Sequence, residues 1–488
     1  MGIKRTQKLT QEKIEYLVFQ GGGGKGLVYL GAIFGLEFVF AKYILSKQKD
    51  LEESLVPESG TANIIMPTPI SLFPISIPPK YRQLKGVAGS SAGAINAFCL
   101  AMGMSYSDID KVLDKTERNF SAPKGIINSF EKFFEAPRLA YRYIADGTSK
   151  REKDNVSSWS SDWLSALIKD LLIVTSPLGY VIRLFAKNYL VKVLAPRFSE
   201  YIENVARANG LFSGFEVRLF FETLMTENLL KHSYRQKFVL NAGLATKKAH
   251  EITFKDFFNI TDLVITSINV VQKMPKLFSV YHTPDFPVTE AVGMSMSIPI
   301  AFKPVIAQKQ VDSTRDEKYN EEYHGIYVDG GMLLNYPIHI FDKTEKKMLL
   351  YQGEEKPFSV SAYEFGEFPD FCDCTLGFRL AVRPETDKKK LIDNPPAIGG
   401  FSGLLLSTIM ATGETAQIYT QDEANRTIVL ECTGIKTLDF ATPLIDKIRE
   451  TEYEKGNTME RHKKKLIAQA SNEVFEYFDA QTIYYKNK

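Results

Sequence analysis

Cysteine is scarce in this chain: Cys99, Cys372, Cys374 and Cys432 are all there is among 488 residues. So few, so irregularly spaced, they exclude a disulfide framework and a zinc site. Cys372 and Cys374 would share one face of a strand, which predicts packing rather than chemistry and fits a reducing compartment. Charge of one sign is also missing, since 60 Lys and Arg stand against 58 Asp and Glu for a net +2. That balance leaves no electrostatic footprint for nucleic acid, so no nucleic-acid partner is expected. Long apolar runs are absent as well. "SGTANIIMPTPISLFPISIPP" carries too many prolines for a helix, "GVAGSSAGAINAFCLAMGMSYS" is rich in small and polar residues, and "NPPAIGGFSGLLLSTIMATG" is broken by glycine. None supplies the roughly 20 apolar residues a membrane span needs, so no transmembrane helix is expected. The opening "MGIKRTQKLTQEKIE" is charged and lacks the apolar segment of a secretory leader.

What is present is an ordinary globular composition, 44% hydrophobic and 24% charged, in a chain long enough for a large core. "IEYLVFQ" reads as a short buried strand and "LVYLGAIFGLEFVFAKYIL" as a mostly apolar helix after it. Residues 50–80 are proline-punctuated and predict a surface loop. "YRQLKGVAGSS" reads as a strand entering a sharp turn, and "AGAINAFCLAMGM" as a buried helix. Ser107 in "SYSDID" is positioned to cap the next one.

From about 115 to 235 the pattern turns helical and aromatic-rich, in "INSFEKFFEAPRLAYRYI", "DWLSALIKDLLIV" and "GYVIRLFAKNYLVKVLAPRF". Two readings stay open there: amphipathic helices packed on the core, or a cap over a site that also touches lipid. Strand patterns return in "RQKFVLNAG", "DLVITSINVV", "HGIYVDGG", "DCTLGFRLAV" and "RTIVLECTG", and "HKKKLIAQASNEVFEYF" predicts a last helix. Residues 308–324 read as a charged, solvated excursion. Strands alternating with helices predict a largely parallel sheet covered on both faces.

The stretch Gly89-Ser90-Ser91-Ala92-Gly93 is a G-x-S-x-G sequence at a strand-to-helix junction. Such a turn lifts its central serine, Ser91, above the sheet, while flanking glycines let chain pass close by. Ser90 is off-centre and the lesser candidate. A nucleophilic serine needs a base, yet none of the six histidines sits in a recognisable triad context. An aspartate in reach of the hydroxyl can serve instead, and Asp329 in "YVDGGMLLNYP" ends a predicted strand, although Asp-Gly-Gly alone is an ordinary turn.

The glycine run in "YLVFQGGGGKGLVYLGA" can then be judged. A Walker A loop would need glycine where Phe19 stands and Ser or Thr where Gly26 stands. A dinucleotide fingerprint does fit Gly21, Gly23 and Gly26, but "AKYILSKQKD" offers no convincing ribose-binding acid. The glycines fit better as a row of exposed backbone N–H donors for an oxyanion.

These pieces in this order resemble the patatin-like phospholipase family of bacterial type. The match comprises Gly21 to Gly26 with Lys25, Gly89 to Gly93, and Asp329-Gly330-Gly331. The apolar "AVGMSMSIPIAFKPV" and the continuation through Asn335 and Pro337 add to it. The resemblance implies a three-layer α/β/α fold with a mostly parallel central sheet. It makes residues 1–488 a single catalytic domain, with a proline-rich loop at 50–80, a helical insertion or cap at 115–235 and a charged loop at 308–324. It also implies a dyad in which Ser91 attacks an acyl ester and Asp329 takes the proton, with Gly22, Gly23 and Gly24 holding the oxyanion. Gly21, Lys25, Gly26, Gly89, Gly93, Gly330 and Gly331 support those motifs; Lys25 either orients the loop, meets a lipid phosphate or is simply solvated.

The resemblance implies no metal and no cofactor. Membrane lipid is the implied substrate and peripheral contact of a cytoplasmic protein, with latency under an activating protein or small molecule. An esterase for soluble acyl esters and a catalytically silent membrane- or protein-binding module are the alternatives.

Overall fold

The computed structural model describes residues 8–41, 71–74, 82–113, 142–144, 210–212, 214–230, 247–257, 260–308, 323–342, 346–351, 354–359, 374–381, 421–432 and 458–478. The expected strand "RQKFVLNAG", most of the 115–235 segment, the charged stretch from 309 to 322 and most of 50–80 lie outside them.

Thirteen strands are described: β1 Tyr16–Phe19, β2 Gly86–Ser90, β3 Arg142–Ile144, β4 Gly210–Phe212, β5 Asp262–Asn269, β6 Met274–Phe278, β7 Ile300–Phe302, β8 Val305–Gln308, β9 Gly325–Asp329, β10 Lys346–Tyr351, β11 Glu354–Ser359, β12 Thr375–Ala381 and β13 Thr427–Glu431. Nine form one sheet in the order β13-β12-β1-β2-β5-β9-β8-β3, with β6 also paired to β5. Five of its eight pairings are parallel, as expected, and the antiparallel ones gather around β5, β8 and β9. β3 comes from the last residues of a segment that reads as helical; pairing with β8 prevails over the local pattern there.

Alternation along the strands divides the interior in two. Leu17, Phe19, Val87, Ile265 and Phe378 face the larger core. Val18, Ala88 and Val264 face a second core closed by the segment that contains Leu334, Tyr336, Ile338 and Ile340. The sheet is thus the middle layer of three, its first face covered by helices and its second, among the described residues, by the turns of residues 330–342, in keeping with the expected α/β/α fold.

The larger core is packed by α1 (residues 29–41), α2 (Ala92–Ala101), α5 (Val288–Ser295) and α6 (Thr458–Tyr477), with α3 (Tyr106–Leu113) and α4 (Phe215–Met225) alongside. The helical stretch Gly23–Ala41 is long and apolar enough to cross a membrane, but 78% of that window is buried inside the fold. It is mostly apolar because sheet and helices enclose most of it, with the buried Glu37 accepting the Tyr106 N–H at 2.6 Å; Phe38 and Phe40 pack edge-to-face against Phe475 and Phe478.

α3 corrects one expectation. Its cap is Ser105, not Ser107, which lies within the helix. The Ser105 N–H donates to Asp108 Oδ2 at 2.9 Å, and the Asp108 N–H donates back to Ser105 Oγ at 3.2 Å. A second concerns the cysteines: Cys99 is free and buried, but Cys374 is disulfide-bonded.

Candidate active site

β2 is buried along its whole length, and the chain leaves it through Ser91, at φ 51 and ψ −121, before α2 begins at Ala92. A positive φ is strained for a residue with a Cβ. Close packing on both sides fixes it. A Cβ on Gly89 would come within 2.7 Å of Ala94 N, and one on Gly93 within 2.7 Å of the Gln20 carbonyl oxygen. The glycines therefore let the elbow nest against the end of β1, with Ser91 at the helix N-terminus. Ser90 is fully buried, and its hydroxyl has no hydrogen bond among the described residues.

β5 determines what Ser91 meets. β2 pairs with Asp262 to Thr266 in parallel, and β9 pairs with Ser267 to Asn269 in antiparallel. β6 occupies Ile265 to Asn269 at the same time, so it takes one edge of β5 while β2 and β9 share the other, end to end. Ser90 stands opposite Thr266 and Asp329 opposite Ser267, on consecutive rungs. The two strand ends meet there. Ser91 Oγ donates to Asp329 Oδ2 at 2.7 Å, and the Gly331 N–H donates to Asp329 Oδ1 at 2.6 Å.

Asp329 is 4% exposed and Ser91 6%. Burial pushes the Asp329 carboxyl up to about 7, against the smaller opposing effect of the bonds from Ser91 and Gly331. A buried carboxylate that titrates near neutrality suits proton exchange with a hydroxyl.

Two further serines, for which the sequence offers no role, hold this pair in place. The Ser91 N–H donates to Ser295 Oγ at 2.9 Å. The Asp329 N–H donates to the Ser297 carbonyl at 2.9 Å, and Ser297 Oγ donates to the Gly293 carbonyl at 2.7 Å. Both lie in "AVGMSMSIPIAFKPV", whose polar residues in an apolar run were the available signal. α5 is itself anchored by a fully buried ion pair, Arg218 Nε to Glu290 Oε2 at 3.1 Å, from α4.

The glycine loop lies against the elbow. A Cβ on Gly21 would fall 3.1 Å from Ser91 Cβ, and one on Gly26 would fall 2.7 Å from Ala92 Cβ. The Gly21 N–H donates to the Asn335 carbonyl at 2.9 Å, tying the loop to the chain that follows Asp329. A 3₁₀ turn starts at Gly23, with φ 55, and its first closing bond runs from the Lys25 N–H to the Gly22 carbonyl at 3.2 Å. The amides of Gly23 and Gly24 precede that bond and have no acceptor within the turn. Lys25 is 3% exposed, which removes the solvated-loop reading.

His282 pairs with Ser279 and His339 with Asp342 and Glu423, while the Ser91 hydroxyl is paired with Asp329. No group of three or more His, Cys, Asp or Glu among the described residues is placed to hold a metal.

Residues 78–342, more than half of the chain, match the family model described as patatin-like phospholipase. A probable lipid hydrolase, 463L, of Invertebrate iridescent virus 6 is 30% identical over 125 residues, which are 25% of this chain and 36% of that protein. An uncharacterized protein, R571, of Acanthamoeba polyphaga mimivirus is 32% identical over 88 residues, 18% of this chain and 25% of that one. The chain thus spans about a third or less of these curated relatives. Among solved structures, VipD from Legionella pneumophila aligns at a TM-score of 0.31 and 14% identity, over 98% of this chain and 72% of that one. ExoU of Pseudomonas aeruginosa, solved in complex with SpcU, aligns at 0.34 and 14%, over 97% and 54%.

Proposed function

The chain belongs to the patatin-like phospholipase family, and on that footing we propose that it is a serine lipid acyl hydrolase working through Ser91 and Asp329. The observation that carries the reading is the 2.7 Å bond from Ser91 Oγ to Asp329 Oδ2 at the tip of a strained elbow. Ser91 Oγ attacks the acyl carbonyl carbon as its proton passes to Asp329 Oδ2. The tetrahedral oxyanion accepts from the amides of Gly22, Gly23 and Gly24. Collapse expels the alcohol, the lysolipid for a phospholipid substrate, which leaves with the proton held by Asp329. Water then attacks the acyl-enzyme with Asp329 again as base, releasing the fatty acid and restoring Ser91. Each oxyanion donor is worth about 2.7–4 kcal/mol of transition-state stabilisation in such sites.

Membrane lipid is the substrate on this reading, and neither a metal nor a cofactor takes part. The chain acts as a single catalytic domain with residues 115–235 as a helical insertion or cap. Latency under an activating protein or small molecule belongs to the same proposal, and adding cell extract to the lipid assay tests it.

The deciding experiment is fatty-acid release from phospholipid vesicles. Ser91→Ala and Asp329→Asn each abolish it while circular dichroism stays that of the parent; release at the parent rate by Ser91→Ala overturns the assignment. Turnover of short soluble esters without any vesicle hydrolysis would identify a soluble-ester esterase instead.

A further inference from the structure

The large apolar side chains left exposed among the described residues are Phe38, Val270, Val271, Met274, Leu333 and Val429. Two of them, Val270 and Val271, fall in the short turn that joins β5 to β6, and a third, Met274, opens β6. Solvent-facing hairpin turns are built from Gly, Asn, Asp and Ser. This one reads Val270-Val271-Gln272-Lys273 between Asn269 and Met274, with Val271 60% exposed. Lys273 adopts φ 58, a conformation uncommon for a residue with a side chain.

The turn is nonetheless well made. Asn269 Oδ1 accepts the N–H groups of Val271 and Gln272 at 3.1 and 3.2 Å, its Nδ2 donates to the His324 carbonyl at 3.2 Å, and the Val270 N–H donates to the Ile326 carbonyl at 2.9 Å. Four polar bonds hold apolar side chains outward.

Its position is tied to the dyad. Asp329 pairs with Ser267 on β5, and Val271 lies four residues farther along the same direction, about 13 Å at strand spacing. The tip thus projects from the end of the sheet at which Ser91 leaves β2. Its own stretch of chain is free of acid: from 263 to 284 there is no Asp or Glu, while the exposed Lys273 stands between Val271 and Met274. Apolar side chains that bury at an interface, beside lysines whose ammonium groups reach lipid phosphates, favour an anionic bilayer surface over a neutral one.

We propose that the β5–β6 turn seats the protein on an anionic lipid surface, with Val270, Val271 and Met274 entering the headgroup boundary and the exposed Lys273 meeting the phosphates. The inference rests on the lipid-hydrolase reading and adds to it the surface by which the substrate is approached.

The test uses the full chain carrying Ser91→Ala, so that lipid is not consumed, pelleted with phosphatidylcholine–phosphatidylserine vesicles. Val271→Asp with Met274→Asp lowers the bound fraction about tenfold, and Val271→Trp raises it. With Ser91 restored, both variants cleave a short soluble ester within about twofold of the parent, since neither position touches the dyad. Unchanged pelleting in the two variants overturns the proposal. So does a parent chain that does not pellet, which would leave the apolar tip to a protein partner. Should the double variant lose ester cleavage as well, it has misfolded, and Val271→Trp decides: no gain in pelleting overturns the proposal. A parent chain that shows this pelleting pattern yet cleaves neither ester nor lipid refutes the hydrolase reading while the docking surface stands.

Discussion

Asp329 and Asp342 are both buried carboxylates in one stretch of chain, and the fold treats them in opposite ways. Asp342 accepts from the two ends of the Arg426 guanidinium at 2.6 and 2.7 Å and lies 2.7 Å from His339 Nδ1. Burial pushes its carboxyl up, but the bonds from His339 and Arg426 outweigh that and leave it below the ordinary carboxylate range. Asp329 meets a hydroxyl and a single amide, and burial prevails. A carboxylate whose desolvation is offset by a cation holds a structure together. One left without that offset stays available to a proton near neutral pH.

The widest separation between the two comes from removing each charge. Asp329→Asn lowers ester hydrolysis at least about a thousandfold and leaves the molecule folded. Asp342→Asn removes the buried negative charge that Arg426 and His339 face and costs about 3 kcal/mol in urea unfolding, with activity per folded molecule retained. Exchange of these two outcomes would end the comparison.

The pH dependence sharpens it next. Asp329 must be ionised to take the proton from Ser91, so kcat/KM on a soluble ester climbs with pH and levels off above about 7. Stability runs the other way. The folded-state value lies above the ordinary 3.8, so the favourable contribution is complete below pH 3.8 and disappears as pH rises through about 7. Calorimetry at pH 8 should find Asp329→Asn with a higher Tm than the parent, the gap closing toward acid pH.

Ser295→Ala is the third test. It leaves the Ser91 amide buried without its acceptor, and about a tenfold fall in kcat with KM unchanged is expected; Ser295→Thr, which keeps an oxygen there, recovers part of it. A change confined to KM would argue against a positioning role. The smallest effect is far from both carboxylates: Ser105→Ala costs about 1 kcal/mol without altering hydrolysis, and Ser107→Ala costs less.

The residues with unusual backbone demands were legible in the sequence. Gly89, Gly93 and the run from Gly21 to Gly24 advertise close approaches because glycine is otherwise costly, and β1, β2 and β5 are short apolar runs that have few other uses. Asp329 was legible through its two following glycines, one of which supplies the amide on Oδ1. Long-range partners were not. Nothing local marks Ser295 as the acceptor for a residue two hundred positions earlier, or Arg218 and Glu290 as a buried pair. Such pairings exist only once α4 and α5 are packed. The capping serine was misplaced because "SYSDID" offers two serines at adjacent turns, and the reciprocal bond with Asp108 selects the earlier. The spacing of Cys372 and Cys374 predicts packing, since sequence spacing says nothing about oxidation state.

The head-to-head arrangement of β2 and β9 along one edge of β5 has a consequence for how this fold can diversify. Ser91 and Asp329 are 238 positions apart, yet each is indexed to β5 rather than to the other along the chain. Within the intervening sequence only β5 and the Ser295–Ser297 stretch therefore set the distance between their side chains. Lengthening or replacing the connections around them alters what can reach the serine and leaves the spacing between hydroxyl and carboxylate untouched.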